Sequence, residues 1–243
     1  MNVAFRKMAM HCLLLPLAAL TYAQAQAAGT IEGITFAGDK NKVFVPLREM
    51  ASLLGWQVGY DNQKGTPLLN GNPIVVEKRL FDGTPLVALG SLKELGTEVA
   101  WDPTQRTVLV AGKEGSISVL LSEKRVEVDK ARQVLEGYQG DRLVFSTNVS
   151  TGRVGHGTPN GSFTFGPKAR MRYSKLYDNS PMPWSVQVSG NIFVHGYHSV
   201  PKRPASHGCI RVPLSKGNPA KWFFGWVESG VPVTISGAWK RSR

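Results

Sequence analysis

The chain has 243 residues, a formal net charge of +12 and 42% hydrophobic residues. That length suits one large domain or two small ones, and the apolar content is that of a globular protein with a packed core. The charge is uneven: residues 28–114 hold nine Lys/Arg against ten Asp/Glu, whereas residues 115–243 hold eighteen against seven. Such asymmetry points to two domains with different partners, the basic one suited to a polyanion.

The first segment reads as a leader. Arg6 and Lys7 precede an apolar run from Cys12 to about Ala23, and Ala25-Gln26-Ala27 is a small-x-small cleavage signal. This reads as a secretory signal peptide over residues 1–27. The run is too short for a membrane span, and no second candidate follows, so no stable membrane insertion is expected after cleavage. Export to the periplasm or cell wall makes wall polymers or anionic headgroups the expected polyanion, and no nucleic-acid partner is expected. It also removes Cys12, leaving Cys209 as the only cysteine of the mature chain. Exported proteins usually hold cysteines in pairs, so a lone one is either a buried thiol or a working one.

Residues 44–69 align with 85–110 at an offset of 41, with Leu54/Leu95, Gly55/Gly96, Val58/Val99, Asp61/Asp102, Thr66/Thr107 and Leu68/Leu109 identical. In the first copy Pro46 suits a helix start, and Leu47, Met50, Ala51 and Leu54 fall on one helical face. Gly55 can end that helix in a left-handed conformation, and Trp56, Val58 and Tyr60 then alternate as a strand. In the second copy Leu92 and Leu95 sit on the helix, Gly96 ends it, and Val99 and Trp101 follow on a strand. Asp102-Pro103-Thr104 turns into a strand at residues 107–110. Two such units predict a small α+β domain over residues 28–112, which could mediate a homodimer. The residues Val45-Pro46-Leu47-Arg48, Leu54-Gly55 and Tyr60-Asp61 resemble the copper amine oxidase N-terminal-like domain. That resemblance implies a binding, spacing or self-association role; residues 28–114 contain no His and no Cys, so no metal site is expected.

Residues 113–243 form the second expected domain. Short β-like runs at 117–121, 142–145, 162–165, 191–194 and 231–235 alternate with turn residues. One helix is predicted near residues 219–227, with Trp222, Phe223, Trp226 and Val227 on one face. All four mature histidines, His156, His195, His198 and His207, lie here with Cys209. A catalytic cysteine needs a base, an uncovered backbone for an oxyanion and a group to orient substrate. His195 and His207 are candidate bases. Gly208 leaves the backbone beside Cys209 uncovered, and Arg211 would share the side of a strand with Cys209 and could hold a carboxylate.

Phe193-Val194-His195-Gly196 followed by Ser206-His207-Gly208-Cys209-Ile210-Arg211 resembles the L,D-transpeptidase signature. Ser150-Thr151-Gly152, Thr158-Pro159-Asn160-Gly161-Ser162-Phe163 and Gly230-Val231-Pro232-Val233 match other parts of the family's pattern, so the resemblance covers residues 115–237. It implies a mainly β, sandwich-like catalytic domain with one or two short helices, and no cofactor. It also implies that Cys209 is the nucleophile and His195 the general base, oriented by the carbonyl of Gly196. His207, Gly208 and Cys209 would supply oxyanion N–H groups, and Ser206 and Arg211 would shape the substrate site; Trp184 and Tyr197 are further substrate-binding candidates beside these. The implied partners are peptidoglycan stem peptides, as donor and acceptor in a 3→3 cross-link formed through a cysteine thioester. A shorter stretch between His195 and Ser206, carrying Pro201 and Pro204, departs from the family's pattern.

Other readings stay open. The same site could act as an L,D-carboxypeptidase or attach a protein to peptidoglycan, or the chain could be a non-catalytic wall-binding protein. The His/Cys cluster could hold zinc, although no further cysteine or carboxylate completes a usual ligand set. His156 and His198 read as loop residues. The run Lys168, Arg170, Arg172 and Lys175 is either a track for the anionic wall or a solvated β face, and Trp184 lines either the cleft or the core.

Overall fold

The computed structural model describes residues 29–240; the expected signal peptide lies outside the described residues. In the first half, strand Phe44–Pro46 leads into helix Leu47–Leu53 and strands Val58–Asp61 and Thr66–Leu69. Strand Pro85–Ala88 leads into a 3-10 helix Leu89–Leu95 and strands Glu98–Asp102 and Thr107–Ala111. Each helix is followed by a left-handed glycine, Gly55 (φ 70°) and Gly96 (φ 77°), a conformation that carries little steric cost only without a Cβ. The second helix is 3-10 rather than α, and Gly90 in its first turn lowers its helical propensity. Its apolar residues Leu89 and Leu92 are buried with Met50, Leu54, Val110 and Ile117 in one core.

Strand Ser116–Leu120 pairs with Thr107–Ala111 on one side and, in parallel, with Gly29–Glu32 on the other. A division at 112/113 therefore cuts a strand from the sheet it completes. The pairing places this strand with the first half, its buried Ile117 and Val119 facing that half's core.

The second half is a two-sheet sandwich. One sheet runs Arg142–Asn148, Val134–Gln139, Lys124–Asp129, Pro232–Ser236, Gly161–Thr164; the other runs Lys168–Tyr173, Pro181–Ser189, Ile192–Tyr197, Ile210–Pro213. Alternate residues such as Val126, Val128, Val233 and Ile235 on the first sheet meet Val194, Ile210 and Val212 on the second. Helix Pro219–Trp226 closes the core with Phe223 and Trp226, both fully buried. Asn218 caps its start by accepting the Lys221 N–H at 3.0 Å, with Pro219 at the first helical position. Its last carbonyls, which have no partner within the helix, are met by two lysines. Lys124 Nζ donates to Trp226 O at 2.8 Å and pairs with Glu228 at 2.7 Å, and Lys168 Nζ donates to the carbonyls of Phe224 and Val227. Lys168 thus serves the helix end and leaves the basic run read from the sequence. Burial lowers its pKa to about 8, Glu228 raising and Lys124 further lowering it.

The two halves share apolar contacts. Trp222 stacks on Phe145 (5.1 Å, 6° between planes), meets Phe36 edge-on at 5.6 Å and donates from Nε1 to Arg79 O at 3.1 Å. Arg142 reaches across to Glu49 at 2.6 Å.

Candidate active site

Parallel neighbours require a crossover connection. The chain leaves strand Ile192–Tyr197, crosses through Pro201 and Pro204, and returns through Ser206-His207-Gly208-Cys209 into strand Ile210–Pro213. The register pairs Val194 with Ile210 and His195 with Arg211, so Cys209 enters beside Phe193. With a side-chain period of two, Phe193, His195 and Tyr197 share a face with Cys209 and Arg211, while Val194, Ile210 and Val212 point into the core. Gly196 points inward too: a Cβ there would come within 2.4 Å of Leu214 Cδ2 and 3.2 Å of Ala220 Cβ. Cys209, His195, Tyr197, Ser206, His207 and Arg211 all line one cleft of about 760 Å³.

The upstream motifs hold the cysteine loop. Ser150 exchanges backbone hydrogen bonds with Arg211 at 3.0 Å in both directions, and Ala205 and Ser206 donate N–H bonds to Thr151 O. Buried Gln133 clamps Thr151, accepting its N–H and donating to its hydroxyl, both at 2.8 Å. Thr158 Oγ1 accepts from Gly152 N–H at 2.8 Å and donates to Gly208 O at 2.7 Å, joining the two motifs. Gly152 is required there, because a Cβ would lie 2.0 Å from His156 O. Gly208 has φ 116°, which an L side chain rarely adopts, and a Cβ would meet Ile192 at 2.9 Å.

Ser206 is an internal brace. Its hydroxyl donates to Cys209 O at 2.5 Å and accepts the Gly208 N–H at 3.0 Å. This corrects one expectation: the Gly208 N–H is committed to Ser206, which leaves the N–H groups of His207 and Cys209 as the oxyanion candidates. Ser206 itself is 1% exposed, so its part in shaping the site is exerted through the loop.

His195 is 5% exposed, and its Nδ1 lies 2.9 Å from Gly196 O. A carbonyl only accepts, so Nδ1 carries the proton and Nε2 keeps its lone pair. Burial lowers its pKa to about 4, the Gly196 bond opposing and Arg211 adding to the shift. The ring is therefore neutral at pH 7. Burial pushes the Cys209 thiol up from its ordinary value, opposed by the Phe193 backbone and Arg211. Burial thus favours the neutral form of each group, thiol and imidazole. The thiol's recorded partner is Asn191 O at 3.6 Å.

Arg211 lies 4.0 Å over the Tyr197 ring and donates to Ala205 O at 3.3 Å, so these two of the four expected substrate-site residues stand in the cleft as one unit. His207 is a poor base candidate. Its Nε2 faces Arg153 at 2.7 Å, its ring stacks on Tyr177 at 4.3 Å, and burial followed by Arg153, His156 and Arg211 lowers its pKa. His156 packs on His207 (4.9 Å) and His198 on Tyr197 (4.3 Å). Among the described residues no three His, Cys, Asp or Glu side chains gather as a metal site.

Trp184 is elsewhere. The register between Lys168–Tyr173 and Pro181–Ser189 skips it, its φ is 56°, and its ring lies 5.5 Å from Phe224. It lines a separate cavity with Lys168, Lys221 and Phe224, and so is not a wall of the Cys209 cleft.

The model of the L,D-transpeptidase catalytic domain (YkuD) matches over residues 123–235. Residues 123–235 are an L,D-transpeptidase catalytic domain. Similar solved structures include an L,D-transpeptidase from Stackebrandtia nassauensis, 25% identical over 49% of this chain and 57% of that one (TM-score 0.45). One from Xylanimonas cellulosilytica is 29% identical over 47% and 61% (TM-score 0.43), and one from Mycobacterium smegmatis is 15% identical over 88% and 96% (TM-score 0.44). This chain thus covers less than two thirds of the first two proteins. No curated protein matches it. Among the described residues no helix is long and apolar enough to cross a membrane.

Within the L,D-transpeptidase domain, sequence reasoning assigned no role to Thr158 or Tyr177 and left Arg172 on a generic basic face. Thr158 had a signal, its place in the Thr-Pro-x-Gly-x-Phe motif. Tyr177 and Arg172 are brought to the cleft by tertiary folding of the hairpin Lys168–Ser189, which no local pattern announces.

Proposed function

We propose that the chain is an exported cysteine L,D-transpeptidase acting on peptidoglycan stem peptides. Cys209 Sγ attacks the carbonyl of the third, L-configured residue of a donor stem. His195 Nε2 takes the thiol proton as the C–S bond forms and gives it to the departing amine as the C–N bond to the terminal D-alanine breaks. The thioester then passes to an amine of a second stem, forming a 3→3 amide and returning the thiol. The N–H groups of His207 and Cys209 face the oxyanion, and Arg211 on its Tyr197 seat orients the donor.

The observation that carries this reading is that Cys209 and a neutral, Nδ1-protonated His195 line one cleft. Attack from a neutral thiol needs a base that is unprotonated at working pH, and burial keeps His195 in that state. The signal segment and the first-half repeat complete the proposal, the repeat serving to space, bind or pair copies at the wall.

Incubation of the mature protein with a disaccharide-tetrapeptide, followed by mass spectrometry, tests it. D-alanine release with a 3→3 dimer is expected. Release without dimer points to a carboxypeptidase, and no release in the presence of folded protein refutes the enzyme reading.

A further inference from the structure

Arg172 stands out among the charged groups of the cleft. It extends from strand Lys168–Tyr173 and lays its guanidinium 4.8 Å from the centre of the Phe193 ring. Its Nε is buried with no hydrogen-bond partner, and none of the ion pairs among the described residues includes it. The cleft wall carries one carboxylate, Asp178, against Arg172, Lys175 and Arg211. A buried guanidinium nitrogen without an acceptor is uncommon, and the planar fork of arginine matches a carboxylate.

Its position gives that unpaired nitrogen a meaning. Phe193 opposes Cys209 across the parallel pair, and Tyr197, the seat of Arg211, lies four residues along the same strand, roughly 13 Å away at strand spacing. Two arginines, each parked on an aromatic ring, thus bracket the His195–Cys209 centre.

We propose that Arg172 is a substrate-binding residue that grips a peptide carboxylate on the Phe193 side of Cys209, opposite Arg211. This rests on the transpeptidase reading, since it takes the ligand to be a carboxylate-bearing peptide donor. Two carboxylates share that chemistry: the one on the departing C-terminal residue and the one on the retained acyl portion.

The test is binding, measured by calorimetry, of a stem tetrapeptide and of two analogues to Cys209→Ala protein. Each analogue is amidated at one of the two carboxylates. Arg172→Gln in that background is expected to weaken tetrapeptide binding about 10- to 100-fold, and Arg172→Lys to recover part of the loss. The penalty should vanish for one amidated analogue, and which one identifies the carboxylate. Equal weakening for all three peptides, no weakening, or no binding of any peptide by the parent overturns the assignment. Thermal melts of each variant show that it remains folded. Acylation of Cys209 in the unsubstituted protein, read by mass, separates the cases: if acylation occurs, only the Arg172 assignment falls; if it does not, the transpeptidase reading falls as well.

Discussion

Thr158→Val isolates what the Thr-Pro-x-Gly-x-Phe motif does for the nucleophile. Thr158 is 3% exposed, and its hydroxyl closes a bridge from Gly152 N–H (2.8 Å) to Gly208 O (2.7 Å). Valine keeps the shape and removes both bonds, stranding a donor and an acceptor in a buried position. At about 1–3 kcal/mol for each unsatisfied group, the loss is about 2–6 kcal/mol. For a chain of this size that corresponds to a fall in Tm of roughly 4–24 °C. Thr158→Ser keeps the hydroxyl and loses one methyl, about 1 kcal/mol. The bridge ends on Gly208, between His207 and Cys209, so its loss also frees the carbonyl that fixes the oxyanion loop. Acylation of Cys209 by a tetrapeptide should slow at least tenfold in Thr158→Val and little in Thr158→Ser, beyond any difference in folded fraction. Thermal melts and single-turnover mass spectrometry on the same samples read both effects. A valine variant that melts within about 1 kcal/mol of the serine variant and acylates at the same rate would show that the bridge does not hold the loop.

Protonation of His195 gives a second prediction. Its pKa falls from 6.5 unfolded to about 4 folded, so between these values the unfolded chain binds the extra proton. Stability is full above pH 6.5 and is lost as pH falls through that window, by about 3 kcal/mol in all. Urea melts at pH 7 and pH 4 should show this loss, and His195→Gln should remove that part of it; an unchanged pH slope in the variant contradicts the burial argument. Activity should keep an acid limb near 4 rather than 6.5 in kcat/KM. Gly196→Ala should destabilise by about 1–3 kcal/mol through overpacking against Leu214 and Ala220. A near-neutral effect in a denaturant titration would mean that the strand can move away from the helix.

Much of the site was legible because its chemistry sits in contiguous residues. Ser206 to Arg211 is one loop running into one strand, and the parallel register with Ile192–Tyr197 does the rest. The two short helices and their glycine stops were legible for the same local reason: a left-handed residue after an apolar face. Strands Lys124–Asp129, Val134–Gln139, Lys168–Tyr173 and Pro181–Ser189 carry Lys, Arg, Glu, Gln and Pro, and become strands through pairing rather than intrinsic preference. Trp184 was left between cleft and core, and it packs against the core beside Phe224, a choice made by tertiary packing that no local pattern decides. Lys168 looked like part of a surface run, yet the end of a helix 56 residues later claims it. Gly208 was read as an uncovered backbone whose N–H could serve an oxyanion, but that N–H goes to Ser206, a contact made only once the loop closes.

The most direct test of the central claim is the intact mass of the mature protein during turnover of a stem tetrapeptide. The account predicts a transient adduct of the retained tripeptide portion on Cys209, discharged by an added amine acceptor and absent from Cys209→Ala. An adduct that persists in Cys209→Ala, or D-alanine release with no cysteine-bound intermediate under single-turnover conditions, would contradict it.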